Sequence, residues 1–141
     1  MKFKTTFIIL LTCLGMQFSY GQTEHEKITK TLMDYIEGTA NGEPDRVRRA
    51  FHKDLNLYTI ANDSVKVWYG QNYINGIKEG NKSNRIGRIV SIDIENDAAS
   101  AKIEILMPSR KRKYTDYLLL LKYQGQWKII HKSYTYVQYP E

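Results

Sequence analysis

The hydrophobic pattern of this chain changes from helical to strand periodicity near its middle. Thr23 and Glu26 have the spacing of a capping box, and apolar residues recur after them at helical intervals until Asn41-Gly42 ends the run. Pro44 is typical of a first helical position and predicts a second, shorter helix that ends near His52. The two segments predict a helical hairpin.

Shorter segments follow this hairpin. Residues 55–60 and 65–69 have strand composition and are separated by Asn62-Asp63, a pair typical of turns. Helical spacing returns around Tyr73 and predicts a third helix, which Gly80 ends.

From Ile86 onward the hydrophobic period is two. The pattern predicts four long strands at residues 86–95, 99–106, 114–123 and 126–137. They are joined in turn by Asn96-Asp97, by a basic connection and by the two-residue turn Gln124-Gly125. Helices first and an antiparallel meander afterwards predict an α+β fold with the helices on one face of the sheet.

Several motifs have a familiar order. They are Ala50-Phe51-His52-Lys53-Asp54 with Leu57-Tyr58, Ala99-Ser-Ala-Lys-Ile, Tyr117-Leu-x-Leu-Leu-Lys and Gly125-x-Trp127-Lys-Ile. The order of elements resembles the nuclear transport factor 2-like (SnoaL-like) superfamily, and the motifs are similar to its branch named putative lumazine-binding. The resemblance implies a cone-shaped, strongly curved antiparallel sheet packed on three helices. It also implies a cavity open at one end, which favours small, largely apolar ligands.

The first 21 residues predict a secretory signal peptide. Two lysines precede an apolar run at residues 7–18 that is short for a membrane span, and small residues lie before a cleavage site preceding Gln22. A lipid anchor on Cys13 is the competing interpretation, which the bulky neighbour Thr12 disfavours. We therefore expect one periplasmic or secreted domain, residues 22–141, without stable membrane insertion.

Charge and cysteine content exclude several kinds of catalytic and binding site. The 141-residue chain has a formal net charge of +6, and removal of residues 1–21 would take away two lysines and leave +4. The remaining chain has no cysteine, which excludes thiol catalysis and cysteine-metal sites in it. The basic run at residues 110–113 is expected to be a solvated loop, with phosphate or an anionic envelope surface as the alternative partner. No stacking motif surrounds this run, so we predict no nucleic-acid binding.

One candidate acid/base pair comes from the last hairpin. If Gln124-Gly125 is a two-residue turn, Asp116 and His131 become diagonal neighbours on one sheet face, within side-chain reach. A carboxylate beside an imidazole can transfer protons, although residues in such positions more often have purely structural roles. A one-residue slip would place them on opposite faces.

Aromatic residues are the other candidates for ligand binding. Five of them are expected near the cavity, with two or three touching a ligand and the rest in the core: Tyr35, Tyr58, Trp68, Tyr73 and Trp127. With Asp116 and His131 they form the predicted binding set. His52 is expected to interact with the end of the second helix, and His25 to be solvated. The three histidines lack a paired-ligand spacing, so we predict no metal and no cofactor.

The opposite face of the last hairpin predicts assembly. Tyr117, Leu119, Leu121 and Tyr123 alternate on a face that should be polar if it met water, and a homodimer through the convex sheet face would bury them. The leading interpretation is an exported small-molecule-binding protein with little catalytic activity. The alternatives are an isomerase, dehydratase or hydrolase using Asp116 and His131, and an envelope interaction module acting through the sheet face or the basic connection.

Overall fold

In the computed structural model, two helices, two strands and a third helix precede four long strands, and a short 3-10 helix (Pro108–Arg110) joins the second and third of these. The structure describes residues 21–139, so the predicted signal peptide lies outside the described residues except for Gly21. Its elements are α1 (Glu24–Asn41), α2 (Pro44–Ala50), β1 (Phe51–Ala61), β2 (Ser64–Tyr69), α3 (Gly70–Asn75), β3 (Ile86–Glu95), β4 (Ala98–Met107), β5 (Arg112–Tyr123) and β6 (Gln126–Gln138). Within residues 21–139, no helix is long and apolar enough to cross a bilayer.

The first helix begins and ends where its local signals predict. The Glu26 backbone N–H donates to Thr23 Oγ1 at 3.2 Å, and the Thr23 N–H donates to Glu26 Oε2 at 2.8 Å, which completes the capping box. Gly42 follows the helix with φ 67°, the left-handed conformation that glycine adopts without steric cost. The predicted bounds of α1 are confirmed.

The second and third helices are shorter than predicted. β1 begins at Phe51, which pairs with Ile129 of β6, so His52 lies in a strand and the expected interaction with the end of α2 is wrong. Its ring instead meets the ring of Tyr123 edge-on, with centroids 5.3 Å apart. The third helix ends at Asn75, well before Gly80. The last predicted turn of the second helix is replaced by the start of β1, and that of the third helix by the connection to β3.

The six strands form one sheet in the order β2-β1-β6-β5-β4-β3. All neighbouring strands are antiparallel except β1 and β6, which are parallel. The predicted α+β fold with a curved, unclosed sheet packed on helices is confirmed. The parallel contact was not predicted, because the residues that form it are separated by most of the chain.

The core lies between α1 and the inner face of the sheet. Its fully buried side chains come from both layers and include Ile28, Leu32, Tyr35, Ile103, Leu118, Leu120 and Ile129. Gly87 lies where β3 packs against Ile36 of α1. A Cβ atom there would be 2.4 Å from Cγ2 of Ile36, so only glycine allows this helix-to-sheet distance.

The last hairpin has the predicted turn but a change of register along its length. Tyr123 pairs with Gln126 across Gln124-Gly125, and the same register continues to Leu120 and Ile129. A β-bulge at Ile130 then places His131 opposite Leu119. Because a one-residue shift exchanges the two faces of a strand, Lys132 points to the inner face and His131 to the outer face.

Candidate functional site

A cavity of about 500 Å³ opens between the helices and the inner face of the sheet. Its volume is typical of pockets for small ligands. Its walls are partly aromatic and aliphatic and come from nearly every element; they include Tyr35, Leu57, Trp68, Tyr73, Ile77, Ile105, Met107, Tyr114 and Tyr134. Asp116 and Lys132 supply buried charges to the same lining.

Three polar side chains form a hydrogen-bonded cluster in the cavity wall. Asp116 Oδ2 accepts a hydrogen bond from the Tyr35 hydroxyl at 2.9 Å and lies 2.7 Å from Lys132 Nζ. Lys132 Nζ also donates to the Tyr35 hydroxyl. Asp116 is 0 % and Lys132 5 % exposed. Charges are stable at such depth only when paired, so the cluster holds both groups in fixed positions.

The surroundings of Tyr35 keep its hydroxyl protonated. Burial raises the pKa of Tyr35 well above its ordinary value, and the neighbouring Asp116 and Tyr73 raise it further. The ring also lies 4.8 Å from Lys132 Nζ, within the range of a cation–π contact. Tyr35 is therefore a hydrogen-bond donor at neutral pH, and Asp116 is the acceptor.

The predicted pairing of Asp116 with His131 is wrong. The bulge at Ile130 turns His131 to the outer face, where its ring stacks on Tyr58 with centroids 5.0 Å apart and an interplanar angle of 14°. Its Nε2 lies 2.7 Å from Oγ of Ser133. Lys132 takes the place beside Asp116 that the unbulged register gave to the histidine.

The remaining predicted binding residues divide between the cavity and other places. Tyr35, Trp68 and Tyr73 line the cavity together with Asp116. Tyr58 lies with His131 on the outer face, because β1 runs beside β6 in parallel. Trp127 is buried in the core, and its Nε1 donates to Glu24 Oε2 at 2.7 Å. Three of the five aromatic candidates thus reach the cavity.

Four basic lining residues were not predicted: Lys78, Arg85, Arg110 and Lys132. The adjacent apolar residues Ile129 and Ile130 break the strand alternation, and this break is the sequence signal that could have revealed the bulge and hence Lys132. The other three lie on connections, where no periodicity predicts the direction of a side chain. Among residues 21–139 no cluster of three or more potential metal ligands is present.

Comparison with known proteins places this geometry in a family. Residues 23–135 match the family model described as "Putative lumazine-binding". Two solved structures of similar fold are NTF2-like proteins of unknown function. The protein from Shewanella baltica OS155 is 26% identical with a TM-score of 0.71, and the match covers 86% of this chain and 100% of that chain. The protein from Methylobacillus flagellatus KT is 26% identical with a TM-score of 0.71, and the match covers 87% and 99%.

One curated relative carries the name of an enzyme. It is the aldolase FrzH of a Cladobotryum species, 24% identical over 113 residues, with 79% of this chain and 90% of the relative covered.

Proposed function

The chain belongs to the putative lumazine-binding family and has the NTF2-like fold, and on that premise we propose that it binds a small planar molecule in its cavity, without strong catalytic activity. The observation that carries this proposal is the cavity itself. Tyr35, Trp68 and Tyr73 contribute aromatic rings to a partly open cavity of about 500 Å³, and aromatic rings are effective stacking partners for planar ligands.

The position of Trp68 supports ligand access. Trp68 lies on the edge strand β2 and is 55 % exposed, although it lines the cavity. Tyr35, which also lines the cavity, is fully buried. A ligand can therefore enter past Trp68 and reach the buried part of the wall.

The two tryptophans provide a test, because they are the only ones in the chain. Lumazine, the pteridine in the family name, and other planar heterocycles are titrated into the protein while the indole N–H resonances are followed by NMR. Binding in the cavity shifts the Trp68 signal and leaves the Trp127 signal in place. Native mass spectrometry of freshly purified protein from several hosts tests for a retained ligand. If no compound shifts Trp68 and every spectrum shows apoprotein, the proposal fails.

A second function, proton-transfer catalysis, is favoured by the carboxylate in the cavity wall. Asp116 lines the cavity, and its Oδ1 is buried with no hydrogen-bond partner among residues 21–139. A fixed carboxylate in this setting can accept a proton from a bound carbon acid, while the Tyr35 hydroxyl and Lys132 hold its other oxygen, Oδ2, in place. This assignment replaces the predicted role of His131.

Deuterium exchange at the α-carbon of a cyclic ketone, followed by NMR in D2O, tests this second function. Catalysis by Asp116 predicts that Asp116→Asn abolishes the exchange above the buffer rate. The matched control, His131→Asn on the outer face, leaves it unchanged. If the exchange rate with the wild-type protein equals the rate in buffer alone, the proposed proton-transfer catalysis is wrong.

We also propose that the protein is exported and dimeric. The support for export is the amino-terminal pattern, and the intact mass of protein recovered from the periplasm or medium should correspond to a chain that begins at Gln22. The support for a dimer is the outer face of β5, where four large apolar or aromatic side chains are between 43 % and 53 % exposed: Tyr117, Leu119, Leu121 and Tyr123.

A further inference from the structure

The charges in the cavity lining do not balance. Lys132 is paired with Asp116, the only carboxylate among the described lining residues. Lys78, Arg85 and Arg110 contribute three more positive charges, and within residues 21–139 none of these three forms an ion pair. A pocket with a positive surplus attracts negatively charged molecules.

Arg85 is the most informative of the three cations. It lies on the connection before β3 and is half-buried, and its Nε is buried with no hydrogen-bond partner among the described residues. Burial lowers the pKa of the guanidinium, but neighbouring Tyr73, Tyr35 and Tyr114 raise it by more, so the charge is retained. A buried guanidinium donor is stable when an acceptor reaches it, and its planar fork matches a carboxylate or sulfonate.

Tyr114 lies in the same wall, beside Arg112 and Arg110. Burial alone would raise the pKa of its hydroxyl, yet Arg112 and Arg110 lower it by a larger amount. The hydroxyl accepts a hydrogen bond from Arg112 at 3.4 Å, and the side chain lines the cavity. This wall of the cavity is therefore electropositive.

We infer that the cavity takes a small organic anion, with an aromatic or apolar body held by the rings and one acidic group paired with Arg85. The inference rests on the proposed binding function and specifies its ligand class. Arg85 contributes most because its donor is withdrawn from water. Arg110 and Lys78 are exposed, so solvent and salt screen them, and they contribute less.

Two fluorescent probes that share an aromatic skeleton distinguish the contribution of the acidic group to binding from that of the aromatic rings. Anilinonaphthalene sulfonate is anionic, and phenylnaphthylamine is its neutral counterpart. We expect the anionic probe to bind roughly tenfold more tightly, since a hydrogen bond to a charged group has about this effect. Added NaCl should weaken the binding of the anionic probe and leave the binding of the neutral probe unchanged. Both should shift the Trp68 indole resonance, which locates them in the cavity.

Three arginine variants complete the test. Arg85→Gln should reduce the affinity of the anionic probe about tenfold, and Arg110→Gln by less than about fivefold. The matched control is Arg49→Gln, an exposed arginine of α2 outside the cavity lining, which should change neither affinity. Unchanged binding of the neutral probe shows that each variant retains the folded cavity, and Arg85→Lys should recover part of the loss.

The outcomes distinguish the two proposals. If both probes bind equally in the cavity and Arg85→Gln affects neither or both alike, the anion inference is wrong and the binding function stands. If neither probe shifts Trp68, the binding function itself fails.

Discussion

At the scale of single residues, the Asp116–Lys132 ion pair is a buried charge pair in the cavity wall. Both groups are buried, and Tyr35 completes their hydrogen bonding. Replacing one partner leaves an uncompensated charge in the interior, whereas replacing both by apolar residues removes the desolvation cost together with the attraction. The pair therefore fixes the arrangement of the cavity wall more than it adds to net stability.

This argument predicts a larger loss of stability in the single variants than in the double variant. Asp116→Leu or Lys132→Met alone should lower the free energy of unfolding by about 3–5 kcal/mol. The double variant should lose less than either single variant. Urea denaturation measures all three, and Arg88→Gln, which breaks the exposed pair with Glu104, should change stability by less than about 1 kcal/mol. A loss below about 1 kcal/mol for Asp116→Leu would contradict a buried charge pair.

At the scale of elements, the first turn of α1 is bound to the last hairpin. Glu24 receives hydrogen bonds from Lys27 at 2.8 Å and from Trp127 Nε1 at 2.7 Å, and it lies 3.1 Å from Lys122 Nζ. These contacts, Lys27 first, lower the pKa of Glu24 to about 2. A folded-state pKa below the ordinary value means that the contacts stabilise the fold above the ordinary pKa. This stabilisation is lost as the pH falls toward 2.

The Trp127 indole N–H resonance reports this titration directly. On acidification it should stay in place through the ordinary range of glutamate and move with a midpoint near pH 2, as the pKa of Glu24 requires. Glu24→Gln should remove the transition, and the Trp68 indole serves as the internal control. A midpoint at the ordinary glutamate value would show that α1 is not held by these contacts.

The contact between α1 and β3 depends on the absence of a side chain at Gly87. In Gly87→Ala the added methyl group would meet Ile36 Cγ2 at 2.4 Å, so the helix must shift or the isoleucine must change rotamer. Overpacking of this kind should cost about 1–3 kcal/mol, measured by thermal or urea unfolding.

Two further variants test the Gly87 mechanism. Gly76→Ala, whose added Cβ meets nothing closer than 3.4 Å, should change stability by less than about 1 kcal/mol. Ile36→Ala removes both Cγ atoms that the added methyl group would meet, so Gly87→Ala should cost less in the Ile36→Ala background than in the wild type. Equal effects at Gly87 and Gly76 would show that the close approach does not limit packing.

At the scale of the whole molecule, the curved sheet separates two surfaces with different roles. The concave side holds the helices and the cavity, and the convex side carries Tyr117, Leu119, Leu121 and Tyr123. A dimer through the convex side would bury these residues and leave the cavity open. Assembly and ligand binding should therefore be separable.

The separation predicts the behaviour of Leu119→Lys. Size-exclusion chromatography with light scattering should give a dimer for the wild type at micromolar concentration and a monomer for this variant, because the charge is buried at the proposed interface. Ile86→Lys, an exposed residue of the edge strand β3, should remain dimeric. Leu119→Lys should still show the Trp68 shift on ligand addition. A monomeric wild type would contradict the proposed dimer.

Much of the fold follows from local sequence signals. The capping box at Thr23, the period-two strands after Ile86 and the turn at Gln124-Gly125 all appear in the structure where their residues predict them. Each is decided by neighbours within a few positions: a side chain caps nearby N–H groups, and a positive φ is accepted at Gly125.

The composition of the candidate site was decided by tertiary structure. The sequence alone determined that the last hairpin has an inner and an outer face, and that Asp116 lies on the inner one. Because of the bulge at Ile130, Lys132 lies beside Asp116. The parallel contact of β1 with β6 places Tyr58 on the outer face of the sheet. Long-range pairing also brought Arg85 and Arg110 into one cavity. The reason is that a strand's register and a loop's direction are set by the contacts of the whole sheet, whereas periodicity records only which residues alternate.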